Sequence, residues 1–224
     1  MLKENAKIIK DEIIKRFKGV NKYGESITVV AASKTVDTGV LNELKSLDIF
    51  ICGENRVQEF LKKCDLVDTT WHFIGNLQTN KVKYIVDKVD LIQSCNSLKL
   101  LNEIDRQSEK IEKVSKVLIE VNIAKENSKT GILKDELDFI LNKAKTLKNI
   151  SVKGLMAVMP YVKNPEINKD YYLQMRSVYD RIKSEQFFEF EYLSMGMSDD
   201  YITAIENGAN MVRLGTCLFG VRNY

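Results

Sequence analysis

Lys34 carries the most specific chemical potential in this sequence. It follows the apolar run Val29 to Ala32 and has hydroxyl residues, Ser33 and Thr35, on either side. A lysine amine is a nucleophile at neutral pH only when it is desolvated or set beside another cation, as Schiff-base lysines are. A lysine at a strand end meets that need if it points into a pocket; the other reading is a solvated lysine capping the strand. A second group of residues lies near the C-terminus. SMGMS (Ser194 to Ser198) and RLGT (Arg213 to Thr216) offer small residues and hydroxyls where backbone N–H groups can approach a phosphate. Two ordinary loops would read the same way, since Gly and Ser are common in any turn. Ser198 is placed to act as the N-cap of a helix beginning near Asp199. Arg213 stands between apolar neighbours in NMVRLG, which points to an inward guanidinium and not to a surface ion pair.

Other candidates carry less. His72, the one histidine, lies between Trp71 and Phe73, where a hydrogen-bonded structural histidine is expected over a general base. Asn55 and Asn76 either orient a ligand or close turns. The run Met156 to Pro160 reads as core packing ahead of a cofactor box. Cys52, Cys64, Cys95 and Cys217 form no CxxC pair and have no histidine at zinc-finger spacing, so no metal is expected.

The elements that must position these residues follow from the pattern. Leu2, Ala6, Ile9, Ile13 and Phe17 recur at helical spacing, predicting an N-terminal helix over residues 1–18. Eight short runs rich in β-branched and aromatic residues come next: ITVVAA, DIFIC, WHFIG, DLIQS, KVLIEVNI, ISVKGLMAV, FEYLS and NMVRLG. Most are continuously apolar, as in strands buried on both faces. Helices are predicted between them over Gly39–Leu47, Val57–Lys63, Gln78–Val86, Leu98–Ile111, Lys134–Leu147, Lys169–Ser184 and Asp199–Asn207. Eight strand–helix units predict an α/β fold, a (β/α)8 TIM-type barrel with an additional N-terminal helix, in preference to an open doubly wound sheet. With two prolines and no Gly/Ser/Pro-rich linker, residues 1–224 read as one domain. Reactive residues of such barrels sit at the C-terminal strand ends, which is where Lys34, Asn55, Met156, Ser194, Arg213 and Gly215 fall.

Composition narrows the function. Thirty-four Lys and Arg against 31 Asp and Glu leave a net charge of +3 with no long run of one sign, so nucleic acid is not an expected partner. No apolar run is long enough to cross a bilayer, and MLKENAKIIKDEIIKRF lacks the apolar core of a secretory signal. A cytoplasmic protein with reduced thiols is expected.

Several segments together resemble the pyridoxal phosphate homeostasis protein family, single-domain relatives of the alanine racemase N-terminal barrel. They are VAASKT around Lys34, GENRVQE from Gly53, WHFIGNLQTNK from Trp71, EVNIAKENSKTG from Glu120, GLMAV from Gly154, SMGMSDDYITAIENGA from Ser194 and VRLGTCLFGVRNY from Val212. They run in family order over nearly the whole chain. The resemblance implies a barrel that binds pyridoxal 5'-phosphate (PLP), with the internal aldimine on Lys34 and Arg213 facing the pyridine nitrogen. Ser198, Gly215 and Thr216 would help hold the phosphate, and Asn55, Met156 and Ser194 would border the cofactor. It departs from the pattern at Cys52, where an aromatic or aliphatic residue is common, and in the Val158 to Pro160 stretch.

The function implied is that of a PLP carrier acting in vitamin B6 and amino-acid homeostasis without turnover of its own, with PLP-dependent apo-enzymes as candidate recipients. A monomer is expected, a dimer being the alternative. Two competing functions are a PLP-dependent amino-acid racemase of modest activity and a cofactor-free Schiff-base aldolase. The phosphate loops argue against the aldolase. The racemase would need an acid/base group on each face of the cofactor, and only Lys34 is evident. The chain's end at Tyr224, with no β domain of the alanine racemase type, points the same way. A permanently charged Arg213 at the pyridine nitrogen would also keep that nitrogen unprotonated and weaken the cofactor as an electron sink.

Overall fold

The eight apolar runs form eight parallel strands in a computed structural model that describes residues 1–185 and 187–221. The strands are β1 (Thr28–Ala32), β2 (Ile51–Glu54), β3 (Thr70–Phe73), β4 (Leu91–Cys95), β5 (Ser115–Glu120), β6 (Ile150–Met156), β7 (Tyr192–Ser194) and β8 (Met211–Leu214). Each pairs with the next, and β8 closes on β1 through Thr28 beside Met211 and Val30 beside Arg213. The expected (β/α)8 barrel is therefore the architecture. The final residues of the last resembling segment, Arg222 to Tyr224, lie outside the described residues.

The helices are α1 (Leu2–Phe17), α2 (Thr38–Glu43), α3 (Val57–Lys63), α4 (Leu98–Glu109), α5 (Leu137–Ala144), α6 (Lys169–Ser184), α7 (Tyr201–Glu206) and α8 (Thr216–Phe219). Local chemistry sets several ends. Asp37 accepts from Gly39 N–H ahead of α2, and Ser97 accepts from Leu100 N–H ahead of α4. α1 buries Ala6, Ile9 and Ile13, then ends on Lys18 in a left-handed conformation.

Two expectations are corrected. Residues 78–86 form no α-helix but a 3-10 stretch, Thr79–Tyr84, held by i→i+3 bonds such as Lys81 N–H to Gln78 O. Its apolar positions, Val82, Ile85 and Val86, still reach the core. The run DIFIC enters the sheet only at Ile51, because Asp48 (φ 55) closes a turn and Phe50 is exposed.

Period-2 alternation splits the core into two layers. Val30, Leu91, Leu118, Met156 and Met211 pack together inside the barrel. Their strand neighbours, including Ala31, Ile92, Val117, Ile119, Leu155 and Val212, pack in the shell shared with the helices. The upper barrel interior is polar instead: His72, Gln93, Ser194 and Arg213 are all buried.

Candidate functional site

The C-terminal strand ends form one mouth. Lys34 is the second residue past β1, half-buried in a turn that Thr35 continues with φ 61. Asn55 directly follows β2 and is half-buried. A Cβ at Gly75, past β3, would stand 2.2 Å from Asn55 O and 2.6 Å from Asn55 Cα, so only glycine lets the two loops touch there.

Across the barrel runs a chain of buried hydrogen bonds. Gln93 Nε2 lies 2.9 Å from His72 Nδ1 and donates to it; Gln93 Oε1 accepts from Ser194 Oγ at 2.7 Å. Ser194 Oγ in turn accepts from Arg213 Nη1 at 2.7 Å. Arg213 also donates to the carbonyls of Ser194 (3.0 Å) and Ala157 (2.9 Å). The direction of the chain requires Nδ1 of His72 to be the unprotonated nitrogen. Burial drives the His72 pKa down to about 4, so the ring is neutral at pH 7 and acts as a structural acceptor. Burial also lowers Arg213 to about 10, opposed by the carboxylates of Asp200 and Glu120; the guanidinium stays cationic at neutral pH. The inward orientation expected for Arg213 is what the structure has.

Ser198, Gly215 and Thr216 come together at the ends of β7 and β8, but Ser198 is not the N-cap of the helix that follows it in the chain. α7 begins at Tyr201 with Asp200 as its N-cap residue, because a turn closed by Asp200 N–H and Tyr201 N–H on Met197 O intervenes. Ser198 Oγ instead accepts from Gly215 N–H (3.0 Å) and Cys217 N–H (3.2 Å), joining the two loops. These amides open α8, and Thr216 beside them is exposed. Gly196 (φ 94) lets the loop after β7 pass close to α7, since a Cβ there would stand 2.6 Å from Ala204 Cβ.

Met156 packs inside the barrel beneath the mouth, paired in register with Glu120 on one side and Ser194 on the other. Val158, Met159 and Pro160 line, with Met197 and Asp200, a cavity of about 160 Å³ at the rim. Among the described residues no three His, Cys, Asp or Glu side chains are grouped as metal ligands, and no helix is long and apolar enough to cross a membrane.

Two residues of this interior leave little signal in the sequence. Gln93 is the hub between His72 and Ser194, and its signal was a polar residue inside the otherwise apolar run DLIQS. Glu120 ends β5 with one carboxyl oxygen taking Thr130 Oγ1–H at 2.7 Å and the other buried without a partner. Burial raises its pKa, so it holds a proton more readily than an ordinary glutamate. An orphaned buried oxygen at a mouth is a group a ligand can satisfy.

Residues 15–223 match the alanine racemase N-terminal domain family. A pyridoxal phosphate homeostasis protein from Aquifex aeolicus is 44% identical over 199 residues, 88% of this chain and 87% of that one. Its counterpart in Escherichia coli strain K12 is 32% identical over 226 residues, 96% and 94% of the two chains. The structure of PipY from Synechococcus elongatus with PLP bound superposes with a TM-score of 0.84 at 27% identity, covering 98% of this chain and all of that one.

Proposed function

The chain belongs to the alanine racemase N-terminal domain family and, within it, to the pyridoxal phosphate homeostasis proteins, and from that premise we propose that it holds PLP at the barrel mouth as a Schiff base on Lys34 and takes part in PLP (vitamin B6) and amino-acid homeostasis. The observation that carries the reading is that three kinds of group meet at one mouth: a half-buried lysine, a pair of backbone N–H groups, and a buried cationic arginine. PLP has three matching handles: an aldehyde, a phosphate and a pyridine nitrogen. The residues present therefore fit it.

When bound, PLP supplies an electrophilic aldehyde and an aromatic ring able to draw electrons from an attached amine. Lys34 Nζ would hold the cofactor through that aldehyde. The N–H groups of Gly215 and Cys217 and the hydroxyls of Ser198 and Thr216 would hold the phosphate. Arg213 is already held by Ser194 and Ala157, so it can donate toward the ring nitrogen without reorganising. As a permanent cation it disfavours protonation of that nitrogen, which suits storage better than carbanion chemistry. Asn55, Met156 and Ser194 would border the ring.

On this reading residues 1–224 act as one PLP-binding domain with the helix of residues 1–18 packed on the barrel, and PLP-dependent apo-enzymes are the recipients. A cytoplasmic location is supported by four free thiols, of which Cys52 and Cys95 are held neutral by burial with pKa values of about 11 and about 12. Absorbance tests the proposal: protein mixed with PLP and freed of unbound cofactor retains a near-visible band, and Lys34→Ala does not. Retention of the same band by Lys34→Ala sinks it.

One observation favours a racemase of modest activity as the alternative. Glu120, buried at the mouth with a raised pKa, is a second proton-holding group besides Lys34. Incubation of loaded protein with L-alanine in deuterated water separates the readings. Turnover of about 1 per second or faster, in the usual enzyme range, selects the racemase.

A further inference from the structure

Lys34 sits between two anchored neighbours. Behind it, Ser33 is fully buried, its hydroxyl 2.9 Å from Glu54 Oε1 and 3.0 Å from Gly53 O, and its carbonyl accepts from Lys63 Nζ at 2.9 Å. Ahead of it, Thr35 N–H donates to Glu59 Oε2 at 3.0 Å. Thr35 has φ 61, a left-handed conformation that is rare for a β-branched residue and persists only where the surroundings hold it. The carboxylate and the ammonium behind this turn are themselves locked. Glu54 is fully buried, takes Lys63 Nζ–H at 2.6 Å on Oε1, and takes Asn55 N–H at 3.1 Å on Oε2. Glu59 and Lys63 lie four residues apart on α3, with Lys63 in its last turn, where the helix dipole favours a cation.

A buried ion pair is weak support for stability, because apolar replacements of similar volume are often neutral. What distinguishes this one is where its hydrogen bonds go: to the backbone of Ser33 on one side of Lys34 and to that of Asn55, while Glu59, which faces Lys63 at 3.9 Å, takes the Thr35 N–H on the other side. We propose that Glu54, Glu59 and Lys63 are positioning residues, which fix the turn that aims Lys34 Nζ into the mouth. The inference rests on the reading of Lys34 as the cofactor lysine.

The test combines three readouts on the full chain. The rate of PLP attachment is followed by stopped-flow absorbance, its site by borohydride trapping and peptide mapping, and folding by urea denaturation. Glu59→Ala is expected to slow attachment about tenfold, the consequence of losing one charge-assisted hydrogen bond, with the urea midpoint little changed. Glu59→Gln, which keeps an acceptor, recovers most of that rate. Thr35→Gly in the Glu59→Ala background also recovers it, since glycine adopts the left-handed turn unaided. The pair Glu54→Gln and Lys63→Met, which removes the buried charges together, slows attachment to a similar extent. Attachment by Glu59→Ala within about twofold of wild type overturns the proposal, as does a loss that tracks the urea midpoint and that Thr35→Gly does not restore. Wild-type protein with no pyridoxyl group on Lys34 is a different failure: it removes the reading of Lys34 itself, and the positioning role with it.

Discussion

Ser194→Ala tests whether the hydrogen-bond chain through the barrel does what its geometry implies. The hydroxyl is fully buried, donates to Gln93 Oε1 and accepts from the Arg213 guanidinium, both at 2.7 Å. Its removal deletes one neutral hydrogen bond, about 1 kcal/mol, and one to a charged donor, about 1.5–3 kcal/mol. Arg213 keeps the carbonyls of Ser194 and Ala157, so its charge is not left unpaired and the lower half of the range applies. The expected loss is roughly 3 kcal/mol, which for a chain of this size lowers Tm by roughly 6–12 °C. Urea denaturation of the PLP-free protein followed by far-UV circular dichroism measures it. The mechanism makes a sharper demand on the double mutant. Part of the loss comes from leaving Gln93 Oε1 without a donor, so in a Gln93→Leu background Ser194→Ala should cost less by about 1 kcal/mol or more. A single-mutant loss under about 0.5 kcal/mol, or strict additivity with Gln93→Leu, refutes the chain as an energetic unit.

His72, the only histidine, gives a clean pH prediction. Its folded pKa of about 4 lies below the unfolded value near 6.5, so its contribution to stability is full above pH 6.5 and falls by roughly 3 kcal/mol as the pH drops toward 4; His72→Asn should make urea midpoints fall less steeply between pH 6.5 and 5. Changing both Ser198 and Thr216 to Ala should weaken PLP binding by about tenfold or more with the barrel's circular dichroism retained, and equal affinity by fluorescence titration counts against their role at the phosphate. Gly75→Ala forces a Cβ to within 2.2 Å of Asn55 O and should cost about 1–3 kcal/mol in urea denaturation while weakening PLP binding through the displaced Asn55 loop; a neutral effect on both would show that the loop yields freely.

How far the sequence foretold this structure depends on what kind of signal each feature leaves. Strands buried on both faces write themselves as apolar runs, and α3 and α6 fall on Val57–Lys63 and Lys169–Ser184 as periodicity predicts, because each has a buried stripe long enough to read. The 78–86 segment has the same apolar spacing, yet it forms a 3-10 stretch, a choice made by how the chain must connect β3 to β4. Ser198 illustrates a different limit. A serine shortly before a helix reads as a cap, and nothing local says that the helix waits until Tyr201 while the hydroxyl turns to the amides of the next strand's loop. Gln93 and Glu120 were invisible as partners because a continuous apolar run does not say which alternate residues face inward. The pairing of Glu54 with Lys63 is likewise a product of α3 folding back on β2, although both residues stand close together in the sequence.

The roles of the other mouth residues depend on PLP being attached at Lys34. Wild-type protein incubated with PLP, reduced with borohydride, digested and mapped by mass spectrometry should carry a single pyridoxyl group on the peptide containing Lys34, and Lys34→Ala should carry none at comparable PLP concentration. A pyridoxyl group found chiefly on another lysine, or an equal yield in Lys34→Ala, would contradict the central claim.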